Sequence, residues 1–154
     1  MLLIISSCMP DSQSEGNIPI EGSSKITPDT GLDQSDWFEV YFTDPDSPRT
    51  STLRSGPDAA LVEAIHKAKL SVEIAMDNLD LWSLGEALLA AYRRGVEVRV
   101  VIESDKLAST EVQELIENGV PVRDDRNAGL MHNKFVIIDR FEVWTGSMNY
   151  IIGN

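Results

Sequence analysis

The chain is short of the groups on which many enzyme classes depend. It has one cysteine and two histidines in 154 residues. A single thiol excludes an internal disulfide framework and any cysteine-based zinc site. Two imidazoles are too few for a histidine-rich metal centre. Bases are scarce too: 13 Lys and Arg stand against 25 Asp and Glu, for a formal net charge of −12. Proteins that coat nucleic acid regardless of sequence use excess Lys and Arg to displace counterions, so the average charge argues against that role. A local basic site would still be compatible with it. No apolar run approaches the ~20 residues that span a bilayer, and no glycine-rich loop of the kind that cradles nucleotide phosphates is present. What remains is 42% hydrophobic and 25% charged, a globular composition in a length that suits one domain with a sizeable core.

The acidic excess is uneven. Residues 1–36 hold six acids and one base, Lys25. From Met9 to Asp36 the chain is rich in Ser, Gly, Pro, Asp and Gln and shows no apolar period, so it cannot bury enough surface to offset the entropy of ordering it. The expectation is a disordered acidic tether over 9–36. Before it, Leu2 to Ile5 is apolar but has no preceding Lys or Arg, unlike a standard export signal. Ile5-Ser6-Ser7-Cys8 resembles a bacterial lipobox, in which the cysteine is lipidated and becomes the mature N-terminus. On that reading 1–8 is a truncated lipoprotein signal and the protein sits at the bacterial cell envelope, on its periplasmic or extracellular face. The other reading is a chance apolar start with a surface thiol, in a cytoplasmic protein.

The folded part is expected over 37–154. Trp37 to Phe42 is aromatic and β-branched and reads as a strand, followed by a loop with three prolines to Pro57. Helical stripes run from Asp58 to Lys69, from Leu81 to Arg94 and from Ser109 to Asn118, the last two stopped by Gly95 and Gly119. Ser109 or Thr110 is the expected cap of the third. Strands are expected at 71–76, 96–102 and 120–123. Two more, at 132–138 and 141–144, join tightly at Asp139-Arg140. This is an α/β order, a mixed β-sheet flanked by helices.

The chemistry concentrates in His132-Asn133-Lys134-Phe135-Val136-Ile137-Ile138-Asp139 and in Gly146-Ser147-Met148-Asn149. On a strand, residues i and i+2 share a face, so His132 and Lys134 point the same way. Phe135 to Ile138 is a continuous apolar run, as in a strand buried on both faces. Ser147 and Asn149 likewise share a face if their strand persists. A nucleophilic imidazole, a fixed cation and two neutral hydrogen-bonding side chains suit a phosphoryl group, whose oxygens want cationic and amide donors as charge develops.

H-x-K-x-x-x-x-D followed by G-S-x-N resembles the signature of the phospholipase D superfamily. Val40 to Pro45 resembles the family's opening strand, and Leu84 to Val100 its helix–strand unit. The likeness covers Trp37 to about Tyr150. It implies a catalytic set of His132, Lys134, Asp139 and Asn149, with Lys134, Ser147 and Asn149 holding substrate and no metal or other cofactor. His132 would attack phosphorus to form a phosphohistidine, which water then releases. Asp139, an odd number of residues from His132, faces away on an ideal strand and is expected to support rather than transfer protons. The family's leaving-group acid is the histidine of a second motif copy, and this chain has one copy. His66 lacks a matching motif and reads as a helix-surface residue. Family domains also continue past G-S-x-N, so the C-terminus reads as truncated. The second half would come from a missing C-terminal half or from a homodimer partner.

The resemblance thus implies a hydrolase of lipid phosphodiesters, a phospholipase D-like phosphodiesterase. One alternative is a homodimeric, metal-independent endonuclease of the same superfamily, with Arg93, Arg94, Arg126 and Arg140 as candidate groove residues, although solvated charges are the plainer reading. Another is a non-catalytic half-domain that binds phosphate headgroups. Trp37, Trp82 and Trp144 read as core residues. Asp77, Asp80, Glu103 and Asp105 read as solvated loop charges, with Glu103 left open by its place at a strand end.

Overall fold

The structure, a computed structural model, describes residues 2–6, 23–25, 38–43 and 57–148. Aromatic and β-branched residues put Glu39–Thr43 into a strand, β3. Helix α1, Pro57–Lys67, lays Leu61 and Ile65 against the sheet one helical turn apart. Strand β4, Ser71–Met76, leads into α2, Trp82–Arg93, and then β5, Glu97–Ile102. A single 3₁₀ turn at Ser104–Lys106 precedes α3, Thr110–Glu117, and β6, Val122–Asp124. The chain then crosses back to β7, Lys134–Ile138, and β8, Glu142–Thr145.

Both expected helix stops have a clear cause. Gly95 and Gly119 adopt φ of 89° and 85°, a left-handed conformation that costs a Cβ-bearing residue more than glycine. In each case the residue after the glycine donates its N–H five residues back: Val96 to Ala91 and Val120 to Leu115. These are Schellman closures. Ser109 occupies the cap position of α3, but its hydroxyl makes no capping bond.

Two strands fall inside segments read from sequence as a signal and a tether. Leu2–Ser6 forms β1, antiparallel to both β3 and β8, and Ser23–Lys25 forms β2 on the outer edge of β3. Neither stretch has a strand's alternating pattern. What holds them is backbone pairing to neighbours remote in sequence, which a local reading does not detect. Trp37 and Cys8 lie outside the described residues.

The eight strands run in the order β2-β3-β1-β8-β7-β4-β5-β6. Strand β4 is parallel to β5 and β5 to β6, whereas β7 is antiparallel to both β4 and β8. The α2 and α3 crossovers step in one direction across the sheet. Right-handed connections place both helices on one face, and α1 and α3 each pack beside α2. The core lies between that face and the helices, with Leu84, Leu88, Val98, Ile102, Leu115 and Val136 fully or almost fully buried.

The placement of the described helices on one face corrects one expectation. In β7 only Lys134, Val136 and Ile138 are buried; Phe135 and Ile137 are half-exposed on the opposite face. Strand β5 alternates in the same way, with Glu97, Arg99 and Val101 outward. An unbroken apolar run therefore marks a strand at mid-sheet here, without implying cover on both faces.

Candidate active site

Strands β4 and β5 end side by side, and the segment entering β7 passes next to those ends. The N–H of Asp77, just past β4, donates to the Asn133 carbonyl (3.0 Å), and the N–H of Glu103, just past β5, donates to the Met76 carbonyl (3.3 Å). The approach to β7 is fixed again where the Met131 N–H donates to the Glu103 carboxylate. His132 is thus held in position by its neighbours' backbone bonds, although it precedes the regular strand.

His132 and Lys134 meet on one acidic side chain. Lys134 Nζ lies 3.0 Å from Asp77 Oδ1, and His132 Nε2 lies 3.5 Å from Asp77 Oδ2. The lysine side chain is 4% exposed and the histidine 66%. A nearly buried ammonium needs a counter-charge, because stripping it of water is expensive. Asp77, 16% exposed, supplies one. Lys134 Nζ also approaches the His132 carbonyl at 3.4 Å, and Thr145 Oγ1 donates to the Lys134 carbonyl at 3.0 Å. The result is an accessible imidazole beside a fixed, shielded cation at the open end of the sheet.

The carboxylates near this end differ from their sequence reading. Asp77 and Glu103 are not solvated loop charges. The first pairs with Lys134; the second is 5% exposed and anchors the backbone just before His132. Their partners lie more than 25 residues away, so nothing in their own neighbourhood marked them. Asp80 is half-buried and accepts from Asn78 Nδ2 at 2.9 Å, and Asp105 is exposed as expected.

Asp139, counted in the catalytic set by resemblance, stands at the other end of β7. Its carboxylate accepts backbone N–H bonds from Lys69 (3.0 Å), Leu70 (2.7 Å) and Ser71 (3.1 Å) in the connection from α1 to β4. Burial pushes its carboxyl up, but these donors outweigh that and hold it below the usual carboxylate range. Asp139 and Arg140 have φ of 52° and 70° and, with Phe141, form the three-residue turn between β7 and β8. The strand's length separates this end from the imidazole. Ser147 is exposed just past β8, at the same end as Lys134, since Thr145 pairs with Phe135. Asn149 lies outside the described residues.

The candidate groove arginines do not gather here. Arg93 and Arg94 end α2 at the start of β5, and Arg140 lies in the Asp139 turn, all at the far end of the sheet. Arg126 alone lies on the approach to His132. His66 is exposed on α1 and lines a cavity of about 520 Å³ with Asp58, Trp82, Glu86 and Arg93, apart from the His132 cluster. Trp144 is buried and stacks on Tyr41 at 5.8 Å, whereas Trp82 is half-buried in that cavity wall. Among the described residues no group of three or more His, Cys, Asp or Glu is placed to hold a metal ion, and no helix is long and apolar enough to cross a membrane.

A mixed sheet with helices on one face, carrying H-x-K at the entry of a central strand, defines a phospholipase D-like protein. The family model described as "Cardiolipin synthase, PLD-like domain" matches residues 61–154, more than half of the chain, and the chain belongs to that family. Mitochondrial cardiolipin hydrolase of Xenopus tropicalis is 36% identical over 88 residues, which are 56% of this chain and 42% of that protein. Phospholipase D of Rickettsia prowazekii (strain Madrid E) is 32% identical over 103 residues, 66% of this chain and 50% of that one. The chain therefore spans half or less of the length of these relatives. Among solved structures, Nuc from Salmonella typhimurium, a phospholipase D family member, superposes with a TM-score of 0.56 at 29% identity, over 62% of this chain and 65% of that chain. NucT from Helicobacter pylori, with a TM-score of 0.50 at 22% identity over 60% of this chain and 65% of that one, shares the fold.

Proposed function

We propose that the protein hydrolyses phosphodiester bonds of phospholipids, with His132 as nucleophile and without a metal. The observation that carries this reading is the pairing of an exposed imidazole with a buried ammonium at the open end of β7. The imidazole nitrogen attacks phosphorus, the phosphorus–oxygen bond to the leaving alcohol breaks, and a phosphohistidine remains for water to hydrolyse. Lys134 stabilises the non-bridging oxygens, on which charge builds. Ser147 and Asn149 supply further donors. The alcohol takes its proton from a second histidine, which a homodimer partner or a second motif-bearing half provides. Relatives named cardiolipin hydrolase and phospholipase D support a lipid substrate. The acidic composition and the distant arginines weigh against nucleic acid.

The test compares wild type with His132→Asn on cardiolipin, phosphatidylcholine and single-stranded DNA, with metals chelated. Release of a lipid headgroup or of phosphatidic acid by wild type alone is the expected result. Binding of lipid without turnover would replace the enzyme reading with that of a headgroup-binding half-domain.

An envelope location through Cys8 is likewise a proposal, and it conflicts with one structural feature. Processing before Cys8 would remove β1, which joins β3 to β8. The mass of the mature N-terminus decides between lipidation and a retained strand.

A further inference from the structure

We infer that Asp77 sets the charge of the phosphate group this site accepts, favouring singly charged phosphodiesters over doubly charged phosphomonoesters. The inference rests on the reading of His132 and Lys134 as the phosphate seat. One carboxylate bridges the two groups, with an oxygen 3.0 Å from Lys134 Nζ and the other 3.5 Å from His132 Nε2. The oxygens of a carboxylate are spaced much as two oxygens of a phosphate are, so Asp77 occupies the place where a phosphate would bridge the same cation and imidazole. An incoming anion therefore displaces Asp77 or binds beside it, and in both cases it meets a negative charge a few ångströms away.

The side chain is held in a way that allows this. Asp77 is fixed through its backbone N–H, but its Oδ1 has no aligned hydrogen-bond donor and rests against Lys134 by charge alone. Asp139, by contrast, is gripped by three successive backbone N–H groups. Glu103, nearly buried, places a second carboxylate against the backbone of Met131, the residue before His132. Repulsion from a fixed carboxylate scales with ligand charge, so a dianion suffers about twice the penalty of a monoanion. A reaction that consumes a diester monoanion and leaves a monoester dianion would then release its phosphate product readily.

The experiment measures binding of dimethyl phosphate and methyl phosphate to the full chain by calorimetry at about pH 8, where a monoester is a dianion because its second pKa is about 6. In wild type the diester is expected to bind about threefold tighter than the monoester, despite the greater charge of the monoester. In Asp77→Asn the diester gains about tenfold and the monoester about 100-fold, so their ratio shifts by about tenfold. An unchanged ratio, or weaker binding of both probes, overturns the role of Asp77 while leaving the seat in place. Wild type that binds the monoester as tightly as the diester or more tightly overturns it too, even if the variant fails to fold. Binding of neither probe by either protein removes the seat itself, and with it the proposed function.

Discussion

The two ends of β7 are built on opposite principles. At one end His132 and Lys134 both approach Asp77, the lysine in a nearly buried ion pair and the histidine with an exposed imidazole. At the other, Asp139 is tied by backbone N–H groups to the connection between α1 and β4 and sits in a left-handed turn with Arg140. The first arrangement leaves polar capacity open to a ligand; the second uses it up inside the fold. H-x-K-x-x-x-x-D is therefore two devices on one strand, and its spacing is set by the strand's length. Seven residues at about 3.3 Å each carry the chain from one end of the strands to the other, roughly 23 Å.

This contrast can be broken at either end. His132→Asn should lower diesterase turnover by on the order of 10⁴-fold, because it removes the nucleophile. The melting temperature should barely move, since the side chain is mostly exposed. Lys134→Met should lower turnover by about 10²–10³-fold. It should also reduce stability by about 3 kcal/mol in denaturant titration, because the partly buried Asp77 loses its partner.

At the far end the pattern should reverse. Asp139→Ala should reduce stability by about 1 kcal/mol through loss of three backbone N–H bonds, two of them exposed to water, while turnover per folded molecule stays within about threefold of wild type. The same carboxylate should give the protein an acid-sensitive stability component. Its folded pKa lies below the unfolded value of about 3.9, so its contribution is complete above that value and is lost as pH falls through the folded pKa. Acid titration of unfolding free energy should therefore be flatter in Asp139→Asn. The smallest effect is expected on the face opposite the described helices. Glu73→Gln, which breaks a largely exposed ion pair with Arg99, should change stability by less than about 1 kcal/mol.

Much of the fold was legible because its cues are local. The glycine stops at Gly95 and Gly119, the apolar stripes of α1 and α2 and the tight turn at Asp139-Arg140 each act within a few residues. His132 and Lys134 were legible as a motif, and their convergence follows from strand geometry. The rest depends on contacts that no local pattern encodes. Lys134 finds Asp77 across 57 positions, and Met131 finds Glu103 across 28. Both acids looked like loop charges because their partners arrive only when β7 enters beside β4. Leu2–Ser6 failed to read as a strand for the same reason, since its pairing to β3 and β8 joins distant parts of the chain. Phe135 and Ile137 looked fully buried because sequence does not reveal that the described helices all lie on one face.

The most direct measurement is acid-free trapping of the enzyme after brief exposure to a diester carrying labelled phosphorus, with metals chelated. Wild type should carry the label on His132 through a base-stable, acid-labile bond, and His132→Asn should carry none. Turnover that persists in His132→Asn, or that stops on chelation and returns with a divalent metal, would contradict the proposed chemistry.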